Sequence, residues 1–140
     1  MNREELKQIL PHREPMLLVD ESNLEGEYSY SEYTVRGDEF FLQGHFPGHP
    51  VVPGVMLCEM MAQGTAMLMR EALDGKLPLY AGMDNIRFKR VVEPGDKVQT
   101  RARILAHRGP VFVVEAKSTV SGEMCCSGKL TFMLIDKKQE

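Results

Sequence analysis

The chain has 140 residues, 43% hydrophobic and 26% charged, with a net charge of −3. That length fits a single domain, 1–140, whose core is large enough to need no staple, and the acidic balance argues against a nucleic-acid binder. The three cysteines, Cys58, Cys125 and Cys126, are odd in number and lack metal-finger spacing, so reduced thiols in a cytoplasmic protein are expected.

Asn2 can cap a short helix through Ile9, with Glu4 and Glu5 in its first turn and Leu10-Pro11 ending it. This opening stretch is charged and has no apolar signal core. The apolar run Met16–Asp20 and the alternating residues from Tyr28 to Arg36 predict two antiparallel strands joined near Glu25-Gly26. Residues 37–53 carry Gly37, Gly44, Gly48, Pro47, Pro50 and Pro53. A loop of that length inside a compact domain is functional or disordered, and Phe40, Phe41 and Phe46 favour an ordered one.

Val55 to Leu73 reads as the one long helix, about 28 Å at 1.5 Å per residue, closed by Asp74-Gly75. It is apolar on nearly every face, which implies burial on several sides. Glu59, Gln63 and Thr65 interrupt it too often for a membrane span. Four strands follow, at 79–90, 97–107, 111–121 and 124–135, with turns at Gly109-Pro110 and Ser121-Gly122. The sum is an α+β fold, a single antiparallel sheet of about six strands wrapped around one helix.

The chemistry concentrates in FFLQGHFPGHPVVPGVMLCEMMAQ, residues 40–63. His45 is a general base at neutral pH or a loop histidine bonded to a backbone carbonyl. Nearby His49 has similar surroundings and no evident role beyond the loop. Glu59 lies inside an apolar helix, where desolvation favours the protonated carboxyl; it is an acid able to protonate a leaving hydroxyl, or a polar group at an interface. Gln63, four residues on, shares its face and can orient it. Pro53-Gly54 is an ordinary helix start or, beside His45 and Glu59, an oxyanion site built on free N–H groups.

Three stretches, LPHREPMLLVD (10–20), residues 40–63 and LYAGMDNIRFKRVVEPGD (79–96), closely resemble the bacterial 3-hydroxyacyl-[acyl carrier protein] dehydratases. The resemblance covers nearly the whole chain in order. It implies the hotdog fold, working as a dimer with active sites at the interface and often as a trimer of dimers. It matches His45 to the catalytic histidine, Glu59 to the catalytic acid from the other subunit, Gly54 to the backbone donor and Gln63 to the supporting amide. Glutamate at 59, where the sister isomerising branch usually has aspartate, points to the dehydration-only branch. The chain departs from the family at Asp38, at Met60 and at Leu79, where an aromatic gate is often found. No metal or organic cofactor is implied.

On this reading, Phe46, Val55, Met56, Met83 and Phe88 would wall an acyl tunnel. Arg87, Lys89, Arg90, Arg101 and Arg103 would dock the acidic acyl carrier protein. The competing expectations are a thioesterase of the same fold and a non-catalytic acyl-thioester binding subunit.

Overall fold

The computed structural model describes residues 1–138. Helix α1 spans Arg3–Leu6, strands β1 and β2 span Glu21–Glu25 and Tyr28–Thr34, and helix α2 spans Gly54–Gly64. Strands β3 to β6 follow at Lys76–Phe88, Lys97–Arg108, Val111–Val120 and Glu123–Asp136. All six strands join one sheet in the order β1-β2-β4-β5-β6-β3, every neighbouring pair antiparallel. The α2 crossover therefore carries the chain from β2 to the far edge of the sheet, and β4 returns to pair with β2.

Strand β5 alternates along its length: Phe112, Val114, Ala116, Ser118 and Val120 are buried, and the intervening residues are exposed or half-buried. Those inward side chains meet α2, which buries Leu57, Cys58, Met60 and Met61 against β2, β4, β5 and β6. Each such apolar side chain contributes roughly 1.5–3 kcal/mol by leaving water. Among the described residues, no helix is long and apolar enough to cross a membrane.

Three expectations need correction. The long helix stops at Gly64 after 11 residues, and a 3₁₀ turn follows at Ala66–Met69. The cause is local. A Cβ on Gly64 would stand 2.2 Å from Ser31 Oγ, so glycine lets the helix end press onto the sheet. Ser29 Oγ then donates to the Gly64 carbonyl at 3.2 Å, and Thr65 Oγ1 donates to the Ala62 carbonyl at 2.7 Å. Side chains take the carbonyls that a continuing α-helix would use.

The first helix ends at Leu6, before Ile9, although its Asn2–Glu5 capping box forms. Its Arg3 reaches across to the carbonyls of Leu17 at 2.7 Å and Val19 at 3.1 Å. Met16–Asp20 is not a strand. The Leu18 N–H and the Met16 carbonyl are both taken by the side-chain amide of Gln63, at 2.6 and 2.7 Å, so they are not free for a ladder. Pairing begins at Asp20, whose N–H donates to the Glu32 carbonyl at 2.8 Å.

The loop after β2 is fastened by Glu39, 8% exposed. Its carboxylate accepts from the Arg36 N–H at 2.9 Å, the Gly37 N–H at 2.8 Å and the Tyr33 hydroxyl. Burial pushes this carboxyl up, but the donors together outweigh burial and hold it below the usual carboxylate range. A lowered folded value means the contribution is present above the ordinary carboxylate pKa and lost as pH falls through the folded one. Glu39→Gln places an amide NH₂ among donors and should cost about 1–3 kcal/mol at neutral pH. Urea unfolding should then show a smaller acid-side loss of stability in the variant than in the wild type. Parallel curves from pH 7 down to acid would contradict the clamp.

Candidate active site

The Glu39 clamp leads into a 3₁₀ turn at Phe40–Leu42 and then to His45, whose N–H donates to the Leu42 carbonyl at 3.1 Å. Beyond it, Phe46 and His49 exchange backbone hydrogen bonds at 2.9 and 2.8 Å, and the Val51 N–H returns to the His45 carbonyl at 2.9 Å. The turn is therefore tied on both sides of the histidine. The imidazole Nδ1 sits 2.9 Å from the Val51 carbonyl. A carbonyl only accepts, so Nδ1 carries the hydrogen and Nε2 keeps its lone pair. The backbone-bonded histidine and the base are thus compatible: the bond fixes the tautomer that a base needs. The ring stacks on Phe46 with centroids 4.1 Å apart. His49 is exposed and contributes its backbone to the turn.

Helix α2 begins at Gly54 behind Pro53, and its first N–H groups have no intrahelical acceptor. A Cβ at Gly54 would lie 2.9 Å from the Phe88 ring, so the bare glycine admits an aromatic against the helix start. Further along, Glu59 Oε2 receives a hydrogen bond from Gln63 Nε2 at 2.8 Å. The sequence-predicted pairing of these two forms, and Gln63 bonds beyond it. It is 2% exposed and also binds Leu18 and Met16, joining the helix to the segment before β1.

Two neighbours of Glu59 were missed by sequence reasoning. His12 Nε2 lies 3.3 Å from Glu59 Oε2. Tyr80 on β3 donates its hydroxyl to the Cys58 carbonyl at 2.9 Å. Burial foremost, and then the nearby Glu59, Cys58 and Cys126, push the Tyr80 phenol up, which keeps it a donor. His12 stands in the LPHREPMLLVD stretch, but the intervening chain hides its partner.

Glu59 opens onto a cavity of about 50 Å³ lined by His12, Gln63, Ala66, Met69, Tyr80 and Phe132 among others. His45 does not line it, and neither does any of the five expected tunnel residues. Met56 packs against the core, whereas Phe46 is 54% exposed, Val55 70%, Met83 47% and Phe88 52%. Within one chain these side chains face solvent.

The five expected docking cations differ in their ties. Arg90 lies near Asp96 at 3.7 Å and Glu123 at 3.5 Å, and Arg103 lies 3.5 Å from Glu115. Arg101 covers the Tyr28 ring at 4.9 Å. Cross-strand pairing sets Arg101, Lys117, Ser127 and Arg87 in one row across β4, β5, β6 and β3. Lys117 is a member of that row that sequence reasoning missed. Lys89 lies just past the end of β3, its N–H bonded to the Cys125 carbonyl at 3.0 Å.

A curved antiparallel sheet around one central helix is the hotdog fold, and comparison with known proteins agrees. The FabA-like domain model matches residues 10–129, and the chain belongs to the FabA-like family. Among curated relatives, it is 45% identical over 138 residues to the 3-hydroxyacyl-[acyl-carrier-protein] dehydratase FabZ of Lactococcus lactis subsp. cremoris, covering 96% of this chain and 95% of the relative. Among solved structures, it resembles the dehydratase heterocomplex ApeI:P from Xenorhabdus doucetiae with a TM-score of 0.78 at 22% identity, over 94% of this chain and 91% of that one. It also resembles the fluoroacetyl-CoA thioesterase FlK with a TM-score of 0.68 at 14% identity, over 83% and 90% of the two chains. At such identities the two solved structures speak to the fold alone.

Gln63→Met tests the hub. The substitution keeps the volume but strands the buried Leu18 N–H and Met16 carbonyl, and should cost about 2–4 kcal/mol. Denaturant unfolding reads the loss directly. A cost below about 0.5 kcal/mol, as for an ordinary surface change, would mean that the amide is not the bridge described.

Proposed function

We infer that the protein is a hydro-lyase that converts a (3R)-3-hydroxyacyl-[acyl carrier protein] into the trans-2-enoyl thioester in fatty-acid biosynthesis. The observation that carries this is a histidine held in the basic tautomer together with a helix-borne carboxyl. It is supported by near full-length similarity to the FabZ dehydratase of Lactococcus lactis. His45 Nε2 removes the proton at C2. The N–H of Gly54 stabilises the negative charge that builds on the thioester oxygen. Glu59 protonates the departing 3-hydroxyl, which leaves as water. The imidazolium and the carboxylate left behind exchange a proton through solvent to reset the site.

The same reading takes the acid from a second copy of the chain. Strand β3 is a 13-residue edge whose far side has no strand partner among the described residues. Its Leu79, Tyr80, Met83 and Phe88 are 41–52% exposed. A long apolar edge of this kind is a template for pairing with another chain. Pairing two such edges would join the sheets, cover the exposed Phe46, Val55, Met83 and Phe88, and give the acyl chain an apolar wall. His45 would then face Glu59 of the partner subunit. Assembly into a trimer of dimers and a cytoplasmic site of action go with this reading; three buried free thiols suit a reducing compartment.

For the carrier protein we assign the row Arg101, Lys117 and Arg87, with Lys89 beside it. Arg87 directly precedes Phe88, whose ring abuts the helix start at Gly54. Arg90 and Arg103 already have acidic neighbours within the chain.

Incubation with a 3-hydroxyacyl thioester separates the readings. Enoyl absorbance is expected; free thiol instead would make the protein a thioesterase, and neither product would make it a binding subunit. His45→Ala and Glu59→Gln should each lower kcat by roughly 10²–10⁴-fold with the fold intact. Arg87→Glu or Lys89→Glu should raise KM for carrier-bound substrate and leave a short free thioester unaffected, the effect shrinking at high salt. Equal harm to both substrates would remove the docking assignment.

A further inference from the structure

His12 belongs to no helix or strand, yet its position is closely determined. Arg13 wraps its guanidinium around the local backbone, donating to the carbonyls of Leu10 at 2.9 Å, His12 at 2.7 Å and Lys7 at 3.1 Å. The imidazole projects from this strap into the Glu59 cavity, with 23% of its side chain exposed against 17% for Glu59. Its Nε2 is 3.3 Å from Glu59 Oε2, and its Nδ1 is buried with no hydrogen-bond partner among the described residues.

The partnerless nitrogen fixes the tautomer. A stranded buried N–H is rarer than a stranded acceptor, so the hydrogen belongs on Nε2 and the lone pair on Nδ1. Glu59 Oε2 then accepts from Gln63 Nε2 at 2.8 Å and has the His12 Nε2–H as a neighbour at 3.3 Å. Both lie against the same oxygen, so that oxygen is the better place for negative charge and the poorer place for a proton.

We propose that His12 is a positioning residue for the dehydration: with Gln63 it occupies Glu59 Oε2, which directs the acid's proton to Oε1 and that oxygen to the substrate hydroxyl. This rests on the reading of Glu59 as the acid. When Oε1 gives up its proton, the carboxylate formed already has the Gln63 donor and the His12 N–H beside its other oxygen. The attraction between the His12 N–H and this oxygen grows as charge develops, so it acts on the transition state more than on substrate binding.

The test compares His12→Leu, His12→Gln and His12→Asn with the wild type in the full chain, following enoyl formation from a 3-hydroxyacyl thioester. His12→Leu should lower kcat about 10- to 100-fold, the scale of one hydrogen bond to a charged group, with KM within about twofold of wild type. Glutamine places an amide N–H near the Nε2 position and should recover most of kcat. Asparagine, too short to reach, should not. If His12→Leu fails to fold, the glutamine–asparagine pair still decides. Unchanged kcat in His12→Leu, or equal losses in glutamine and asparagine variants, would overturn the proposal. A wild type that makes no enoyl product would remove the dehydratase reading itself, an outcome distinct from an active wild type with an indifferent His12.

Discussion

The side-chain amide of Gln63 does the work of backbone. From the buried face of α2 it donates to the Met16 carbonyl and accepts from the Leu18 N–H, so an irregular segment is held in the core without a strand partner. The same amide donates to Glu59. A buried amide left unpaired is costly, so the orientation of Gln63 is determined by two bonds that have nothing to do with chemistry. The carboxyl inherits that orientation. Stability and site geometry therefore share one residue, and neither can vary freely.

From this constraint much of the local architecture follows. Leu10 to Val19 must run alongside α2 for the amide to reach it, and Arg3 and Arg13 tie down the rest of that segment. It brings His12 to the acid. On the other side of the helix, Gly64 presses against Ser31 and ends the α-helical turn pattern. Glu39 performs a comparable task for the loop carrying His45, gathering two backbone N–H groups and a tyrosine hydroxyl around one carboxylate. A polar side chain thus organises each half of the site.

Much of this was legible in the chain. The strands expected at 97–107, 111–121 and 124–135, the turns at Gly109-Pro110 and Ser121-Gly122, and the helix start at Pro53-Gly54 all lie close to where local rules put them. His45, Gly54, Glu59 and Gln63 sit within one short motif, so adjacency in sequence groups them as candidates, and the Glu59–Gln63 bond forms. The misses involve side chains that replace backbone partners. Ser29 and Thr65 cut the helix by capturing carbonyls, and Gln63 kept Met16–Asp20 from being a strand. Apolar periodicity contains no information about such captures. His12, Tyr80 and Lys117 were missed for a related reason, since each meets its neighbours through contacts distant in sequence.

His45 does not line the cavity that Glu59 opens onto within one chain, and the flanks of the β3 edge are apolar and exposed. A second copy of the chain would therefore complete each site. Mixing is the most direct measurement: His45→Ala and Glu59→Gln subunits, each inactive alone, are co-expressed with different tags and the mixed dimers isolated. A two-fold dimer with shared sites gives one site with both wild-type groups and one with neither, so the mixed species should regain turnover at about half the wild-type rate. Verified mixed dimers that stay inactive would contradict the shared site and return both groups to a single chain.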